Sequence, residues 1–367
     1  MNIKKVTIIG LGLIGGSWGL ALKRTCPEII ITGVDLDKNS LNQGLELGVI
    51  DNISTSLAKG VKDADVVIIS TLASSVIKVI NEIIPFLKKG AIVTDTASTK
   101  QNIVEGIKKS LPDDIFYIGG HPMAGSEKQG VLGADPYLLE NAVYVLAKES
   151  NTNKEALNSL VSLITKVGSK VLFLKAAEHD QKVAAISHLP HLVAAVLMNT
   201  VGTLENQKSG FFQLAAGGFR DVTRIADSHP LMWKDIFMEN KGMVLSLIET
   251  FRKSLDEAEN AIINENENNL LEYLSSAKKW REEVPQSSKG LLPVIFDVVV
   301  TVPDEPGKIG SLANILGQEN INIMDIEILR VREGGGEVLR FGFRTEDEAK
   351  RAVKVMNQEG YLARARI

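Results

Sequence analysis

The sequence predicts an α/β protein in three parts: a doubly wound domain with a mostly parallel sheet (residues 1–175), an all-helical domain (176–283) and, past a linker (284–293), a small βαββαβ domain (294–367). Three observations carry this. Up to about residue 175, short β-branched runs alternate with amphipathic helical stretches, the pattern of a parallel sheet covered on both faces. From Ala176 to about Glu283 strand signals vanish and long helical periodicities remain. After Val284-Pro285-Gln286-Ser287-Ser288-Lys289-Gly290, with the Pro, Ser and Gly content of a linker, strand and helix patterns return in a new order.

Taken in order, Val6–Ile9, Ile29–Val34, Val66–Ile69 and Ile92–Thr94 are the first strands, and Gly16–Lys23 opens the first helix. Runs at Tyr117–Ile118, Val143–Leu146 and Val171–Leu174 are expected to extend the same sheet. Leu231–Phe251 and Ala258–Trp280 read as single helices. In the last part, residues 294–302 form a strand, Lys308–Glu319 a helix, Ile321–Val331 and Val338–Thr345 two strands, Glu346–Glu359 a helix, and a short strand ends at Ile367, a ferredoxin-like order.

The bulk composition narrows the function. With 44% apolar and 23% charged residues the 367-residue chain is an ordinary globular protein. A formal net charge of −4 provides no basic excess for phosphate backbones, so nucleic acid is excluded as a partner and a small-molecule substrate fits better. Cys26 is the single cysteine, which rules out an intramolecular disulfide and suits a reducing cytoplasm. Lys4-Lys5 before an apolar run imitates a signal peptide, but glycines interrupt the run and no cleavage site follows. Val183–Leu204 carries no formal charge and is long enough to span a bilayer, yet His188, Pro190, His191 and Asn199 argue for a buried interface helix instead of a membrane span.

Gly10-Leu11-Gly12-Leu13-Ile14-Gly15 matches GxGxxG directly after a predicted strand and at the start of a helix. The glycines allow a tight turn, close approach of backbone to a pyrophosphate, and close helix–strand packing, with the phosphates at the positive helix end. Asp35 closes the second strand twenty residues after Gly15, where a carboxylate accepts the adenosine ribose hydroxyls. That context makes the first domain Rossmann-like. The carboxylate would repel a 2′-phosphate and no arginine follows it closely, so NAD is favoured over NADP.

Three further clusters carry chemistry. Gly119-Gly120-His121-Pro122-Met123-Ala124-Gly125-Ser126-Glu127 follows a strand, and loops at strand carboxyl ends line the ligand crevice of an open parallel sheet. A histidine there can accept a hydroxyl proton as hydride leaves the same carbon. In Ser187-His188-Leu189-Pro190-His191, Ser187 is expected to cap a helix whose two histidines share one face; they point into one pocket or are simply buried and hydrogen-bonded. A metal pair is disfavoured for want of third and fourth ligands. In Gly217-Gly218-Phe219-Arg220-Asp221-Val222-Thr223-Arg224 the two arginines either grip a substrate carboxylate or pair on the surface with Asp221 or Asp227.

The chain resembles the NAD-dependent prephenate dehydrogenases, on GLGLIGGS (10–17), DTASTK (95–100), GGHPMAGSE (119–127), SHLPH (187–191) and GGFRDVTRIADSHPLMW (217–233), in that order. The resemblance implies oxidative decarboxylation of prephenate to 4-hydroxyphenylpyruvate, with His121 as base and Ser98 helping to hold the histidine and the ring hydroxyl. It implies Arg224 and His191 as substrate-binding residues, with His188, Glu127, Asp221 and Trp233 as supporting pocket positions, and a homodimer formed through the helical domain. Ser70 and Thr71 belong to a loop flanking the cofactor, where Leu72 replaces the proline of many relatives. The tail resembles an ACT domain, which implies an amino-acid effector, L-tyrosine, near Asp304, Pro306, Gly307, Asn322 and Asp325, or a pairing module without ligand. The motifs leave open an arogenate or dual-specificity cyclohexadienyl dehydrogenase. A non-catalytic NAD- and amino-acid-binding regulator would not need His121, Ser98 and Arg224 to converge.

Overall fold

The structure is a computed structural model and describes residues 3–108, 110–126, 128–150, 152–284, 296–303, 305–329 and 337–365. The predicted linker lies, apart from Val284, outside the described residues. The chain divides into two compact units, Met1–Glu282 and Glu283–Ile367.

The first unit begins with β1 (Lys5–Ile9), α1 (Leu13–Thr25), β2 (Ile30–Val34), α2 (Lys38–Glu46), β3 (Asn52–Ser54), α3 (Leu57–Val61), β4 (Val66–Ile69), α4 (Ala73–Ile83), β5 (Ile92–Asp95), α5 (Gln101–Ile107) and β6 (Phe116–Ile118). These six strands form one parallel sheet in the order β3-β2-β1-β4-β5-β6. That is the strand order of a dinucleotide-binding fold, whose ligand crevice lies beyond the strand carboxyl ends where the order reverses, between β1 and β4. The central strands are buried on both faces, as their unbroken β-branched runs require: Val66, Val67, Ile68 and Ile69 are all fully covered. Two cores result, one on each face. The first gathers Ile8, Trp18, Leu22 and Ile31, the second Ile9, Val67, Val76 and Ile80.

Next come β7 (Gly120–Pro122), β8 (Val143–Ala147), α6 (Lys154–Lys166) and β9 (Lys170–Leu174). The expectation that the runs at Val143–Leu146 and Val171–Leu174 extend the parallel sheet is not met. They form a separate three-stranded sheet, β7-β8-β9, with β7 antiparallel to β8. The chain leaves the first sheet at Gly119-Gly120, and a Cβ on Gly120 would lie 2.6 Å from the Asp95 carbonyl oxygen and 2.9 Å from the Tyr144 ring. The missing side chain lets the backbone turn there and carry His121 into the second sheet.

The helical part comprises α7 (Ala176–Val183), α8 (Leu189–Gln207), α9 (Gly217–Thr223), α10 (Pro230–Glu239), α11 (Lys241–Ile263) and α12 (Glu267–Glu283). Ser187 does not cap a helix here: α7 and α8 are joined without interruption by a π-helical segment, Ala184–His188. The wider turn loosens the hydrogen-bond ladder ahead of Pro190, which has no N–H to donate. The two long predicted helices are each broken, at Asn240 and at Asn264–Asn266, where Glu265 has φ +49°. The continuous helix Ala176–Gln207 is long and apolar enough to cross a membrane by length and composition. Yet His179, Asp180, His188 and His191 on it are buried against the rest of this unit, polar groups that a bilayer span would leave in lipid.

The second unit has β10 (Phe296–Val302), α13 (Lys308–Gln318), β11 (Asp325–Leu329), β12 (Glu337–Phe343), α14 (Glu346–Gln358) and β13 (Leu362–Ala365), the predicted βαββαβ order. Its sheet is antiparallel, β11-β12-β10-β13. Alternating residues of β10 and β12 (Val298, Val300, Leu339, Phe341) meet Leu312, Leu316, Ala352 and Met356 in a core of its own. Thr345 and Glu348 close a capping box at the start of α14.

Candidate active site

The glycine loop lies at the carboxyl end of β1. Gly10 has φ +93°, and a Cβ there would meet the Ser70 carbonyl oxygen at 2.6 Å; one on Gly15 would lie 2.0 Å from the Gly10 oxygen. Gly12 differs, because nothing lies within 4 Å of its Cβ position. It borders an open cavity of about 740 Å³ together with Leu13, Ile14, Ser70 and Thr71. Helix α1 starts at Leu13 with no side-chain cap and no acid in its first turn, so its positive end is left unopposed toward the cavity. This cradle fits the pyrophosphate of a dinucleotide. Asp35 directly follows β2, its Oδ2 accepting the Leu11 N–H at 2.7 Å and its Oδ1 the Asp37 N–H at 2.9 Å. Ser70 Oγ and Thr96 Oγ1 are 2.8 Å apart, joining the loops after β4 and β5.

Across the cavity, Ser98 and His121 come from the sheet side, and Ser187, His188, Arg224 and Trp233 from the helical side. The structure thus brings together Ser98, His121, His188, Arg224 and Trp233. His191 is buried and outside the cavity wall, stacked on Trp233 with centroids 3.6 Å apart and planes 6° apart. Asp221 is exposed on α9, away from the cavity wall. Glu127 lies outside the described residues.

Behind His121 is a relay that the sequence reading missed. Asp180 Oδ1 accepts the Lys100 backbone N–H at 2.7 Å, and Oδ2 accepts that of Gln101 at 2.9 Å, so this carboxylate serves the start of α5 as a cap from another helix. His179 Nδ1 is 2.7 Å from the same Oδ1 and His179 Nε2 is 2.8 Å from His121 Nδ1. Every neighbour of Asp180 in this set is a donor, so His179 carries its proton on Nδ1 and accepts at Nε2. His121 then donates from Nδ1, which leaves the Nε2 lone pair for the cavity. Burial, followed by the nearby His179 and Lys100, holds His121 well below the usual histidine range, so it is neutral at pH 7. No local signal marks His179-Asp180 in the sequence; only the fold brings the pair next to His121.

Below the relay, the fully buried Lys100 Nζ is paired with Asp95 Oδ1, and Tyr117 OH donates to Asp95 Oδ2 at 2.5 Å. Burial pulls the Lys100 ammonium below its usual range against the attraction of Asp95, while burial and the same carboxylate push the Tyr117 phenol well up. The two halves of the unit are clasped by polar contacts, Ser74 N–H to Asp235 Oδ2 at 3.1 Å and Asn102 Nδ2 to the Glu239 carbonyl at 2.7 Å, while Asn240 Nδ2 to the Asp180 carbonyl at 2.9 Å ties the helical half to itself.

Two family models match the chain: the prephenate dehydrogenase nucleotide-binding domain over residues 18–173 and the prephenate dehydrogenase dimerization domain over residues 175–276. The chain belongs to the prephenate dehydrogenase family. It is 39% identical over 355 residues to prephenate dehydrogenase of Bacillus subtilis (strain 168), covering 96% of each chain. It is 30% identical over 279 residues to cyclohexadienyl dehydrogenase of Zymomonas mobilis, 76% of this chain and 95% of that one. Its fold matches the crystal structure of prephenate dehydrogenase from Aquifex aeolicus in complex with hydroxyphenyl propionate and NAD+, with a TM-score of 0.73 and 35% identity over 77% of this chain and 99% of that chain. The protein is therefore an NAD-dependent oxidoreductase, and NAD is its cofactor.

In the second unit, Pro306 and Gly307 border a hollow at the β10–α13 loop with Val302, Glu305, Lys308 and Ile309. Gly307 has φ +89° at the start of α13. Asn322 and Asp325 are elsewhere: Asn322 Nδ2 contacts Met324 Sδ at 3.4 Å, and Asp325 Oδ2 pairs with Arg340 at 2.8 Å. Asp304 lies outside the described residues.

Proposed function

We propose that this protein oxidatively decarboxylates prephenate to 4-hydroxyphenylpyruvate in L-tyrosine biosynthesis, with His121 as the base. The observation that carries this is the Asp180–His179–His121 chain, which reserves the His121 Nε2 lone pair for the cavity that the glycine loop borders. NAD, when bound on Gly10, Gly12, Leu13, Ile14 and Gly15 with Asp35 toward the ribose, supplies the hydride acceptor. His121 Nε2 takes the proton of the substrate's ring hydroxyl while hydride leaves the same carbon. The carboxylate on the ring then departs as carbon dioxide, its bonding pair passing into the ring, and the proton held by His121 returns to the phenolic oxygen. Ser98 hydrogen-bonds the ring hydroxyl and Arg224 grips a carboxylate, for which a guanidinium's paired donors are suited. His188 and Trp233 complete the wall, His191 holds Trp233 by stacking, and Asp221 and Glu127 are supporting positions in this reading.

The second unit is an ACT domain in this reading, with L-tyrosine as inhibitor bound near Asp304, Pro306 and Gly307, and with Asn322 before β11 and Asp325 at its start as the further effector positions. The free backbone amides at the start of α13 suit the effector's carboxylate. The protein is a cytoplasmic homodimer through the helical domain: Ile186, Val196, Met238, Leu245 and Leu255 expose apolar area that a second copy would cover. A dual-specificity reading, with arogenate also oxidised, is favoured by the likeness to the Zymomonas mobilis cyclohexadienyl dehydrogenase.

The test is NADH formation with prephenate and with arogenate, using NAD or NADP, with and without L-tyrosine. Prephenate oxidation that falls on adding tyrosine is the expected result. Activity with arogenate alone would replace the substrate, and an unchanged rate with tyrosine would remove the effector. His121→Asn should lower turnover by about 10²–10⁴-fold with NAD binding unchanged, and normal turnover would remove the base.

A further inference from the structure

His188 and His121 face the same cavity, yet they are held by different means. His188 Nδ1 is 3.3 Å from Asn240 Nδ2, and that same Nδ2 is 2.9 Å from the Asp180 carbonyl oxygen. Asn240 is buried at the break between α10 and α11 and does not border the cavity. A carbonyl can only accept, so the Asp180 oxygen fixes which end of the Asn240 amide faces it: the NH2 group. The second hydrogen of that group is then directed at His188 Nδ1, which must accept. A buried imidazole that accepts at Nδ1 and is neutral carries its proton on Nε2.

We propose that Asn240 is a positioning residue that holds His188 as its Nε2–H tautomer, so that His188 gives the substrate a neutral hydrogen-bond donor opposite the His121 lone pair. This rests on the reading of the cavity as the prephenate site. The two imidazoles thereby have complementary tasks: His121 accepts at Nε2, and His188 donates from Nε2. Other groups facing His188 are consistent with a neutral ring. Asp180, whose carboxylate is occupied by the Lys100 and Gln101 amides and by His179, favours protonation. His179, His191 and above all burial oppose it, and the result is a value lowered to about 4. Trp233 covers the ring edge to face, with centroids 6.1 Å apart.

The experiment is ¹⁵N NMR of ring-labelled histidines in the intact protein, with the His188 signals assigned by their loss in His188→Gln. The wild type should show His188 with Nδ1 unprotonated and Nε2 protonated at neutral pH; a protonated Nδ1 would overturn the proposal, whatever the enzyme's substrate proves to be. Asn240→Asp is isosteric but has only acceptors when ionised, so Nδ1 should become protonated in it. Its KM for prephenate should then vary by about tenfold between pH 6 and 8, where that of the wild type is flat, because a hydrogen-bonding imidazole changes charge there. A KM profile superimposable on the wild type's would also overturn it. The wild-type spectrum decides the matter even where Asn240→Asp fails to fold, and a failed prephenate assay leaves the tautomer measurable.

Discussion

His121 Nδ1 lies 2.8 Å from His179 Nε2, and this one contact decides which nitrogen of His121 is basic toward the cavity. Asp180→Asn should disturb it without removing the imidazoles. An amide in place of the carboxylate can turn its NH2 toward His179 Nδ1, which reverses the His179 tautomer and then that of His121. Turnover should fall by about 10²-fold or more while KM for NAD stays within about twofold. Asp180 also caps α5, so a melting measurement must accompany the kinetics. Equal turnover in wild type and variant at a temperature where both are folded would show that the relay does not set the base.

Much of this site was legible in the sequence, because each motif lies where a strand ends. GLGLIG, Ser70-Thr71, DTASTK and GGHPMAG all follow β-branched runs that could be recognised as buried strands, and the parallel order then brings their ends together. What could not be read depended on contacts between distant segments. Nothing local distinguishes His179 from a surface histidine on an amphipathic helix, and its meaning comes from His121, 58 residues earlier. The runs at Val143 and Val171 look like further strands of the same sheet, and only the crowding at Gly120 explains why a new sheet starts. Ser187 before Pro190 imitates a helix start because a π turn and a helix start both relieve proline's missing donor.

Lys100 and Asp95 offer a separable test of the buried charges beneath the relay. Lys100→Met leaves the Asp95 carboxylate fully buried with only Tyr117 OH and the Ala97 N–H to satisfy it. An uncompensated buried charge of this kind costs about 3–5 kcal/mol. The double variant Lys100→Met/Asp95→Asn should recover most of that loss in urea unfolding. It should also move the acid limb of kcat/KM upward toward the ordinary histidine range, since the Lys100 charge is one of the causes that lower His121. A double variant no more stable than the single one would mean that the pair is held by packing instead of by charge.

In the proposed reading Asp35 has two roles, which one substitution separates by cofactor. Its Oδ2 already holds the Leu11 amide, so Asp35→Ala should loosen the glycine loop toward NAD and NADP alike. Loss of the carboxylate removes hydrogen bonds to the ribose for NAD and repulsion of the 2′-phosphate for NADP. NAD affinity should therefore fall by about 10-fold or more, with the NAD-to-NADP preference narrowing in the same variant. Isothermal titration with each cofactor reads both numbers. Unchanged NAD affinity would remove Asp35 from the cofactor site.

Acid should loosen the first unit through histidines that burial keeps neutral. His121, His188 and His191 all titrate below the usual histidine range near 6.5, in each case chiefly because burial penalises the charged ring. Above about pH 6.5 the folded and unfolded chains hold these rings neutral alike, and linkage contributes no slope. As pH falls below that, the unfolded chain takes up protons that the folded chain refuses, so stability drops until the folded values are reached, for His188 about 4. A shift of that size is on the order of 3 kcal/mol for His188 alone. The urea midpoint should therefore decline between about pH 6.5 and 4, and His188→Gln should decline less steeply than the wild type. Parallel declines in the two proteins would mean that His188 takes up its proton without unfolding the chain, and that the cavity admits water to a ring the structure buries.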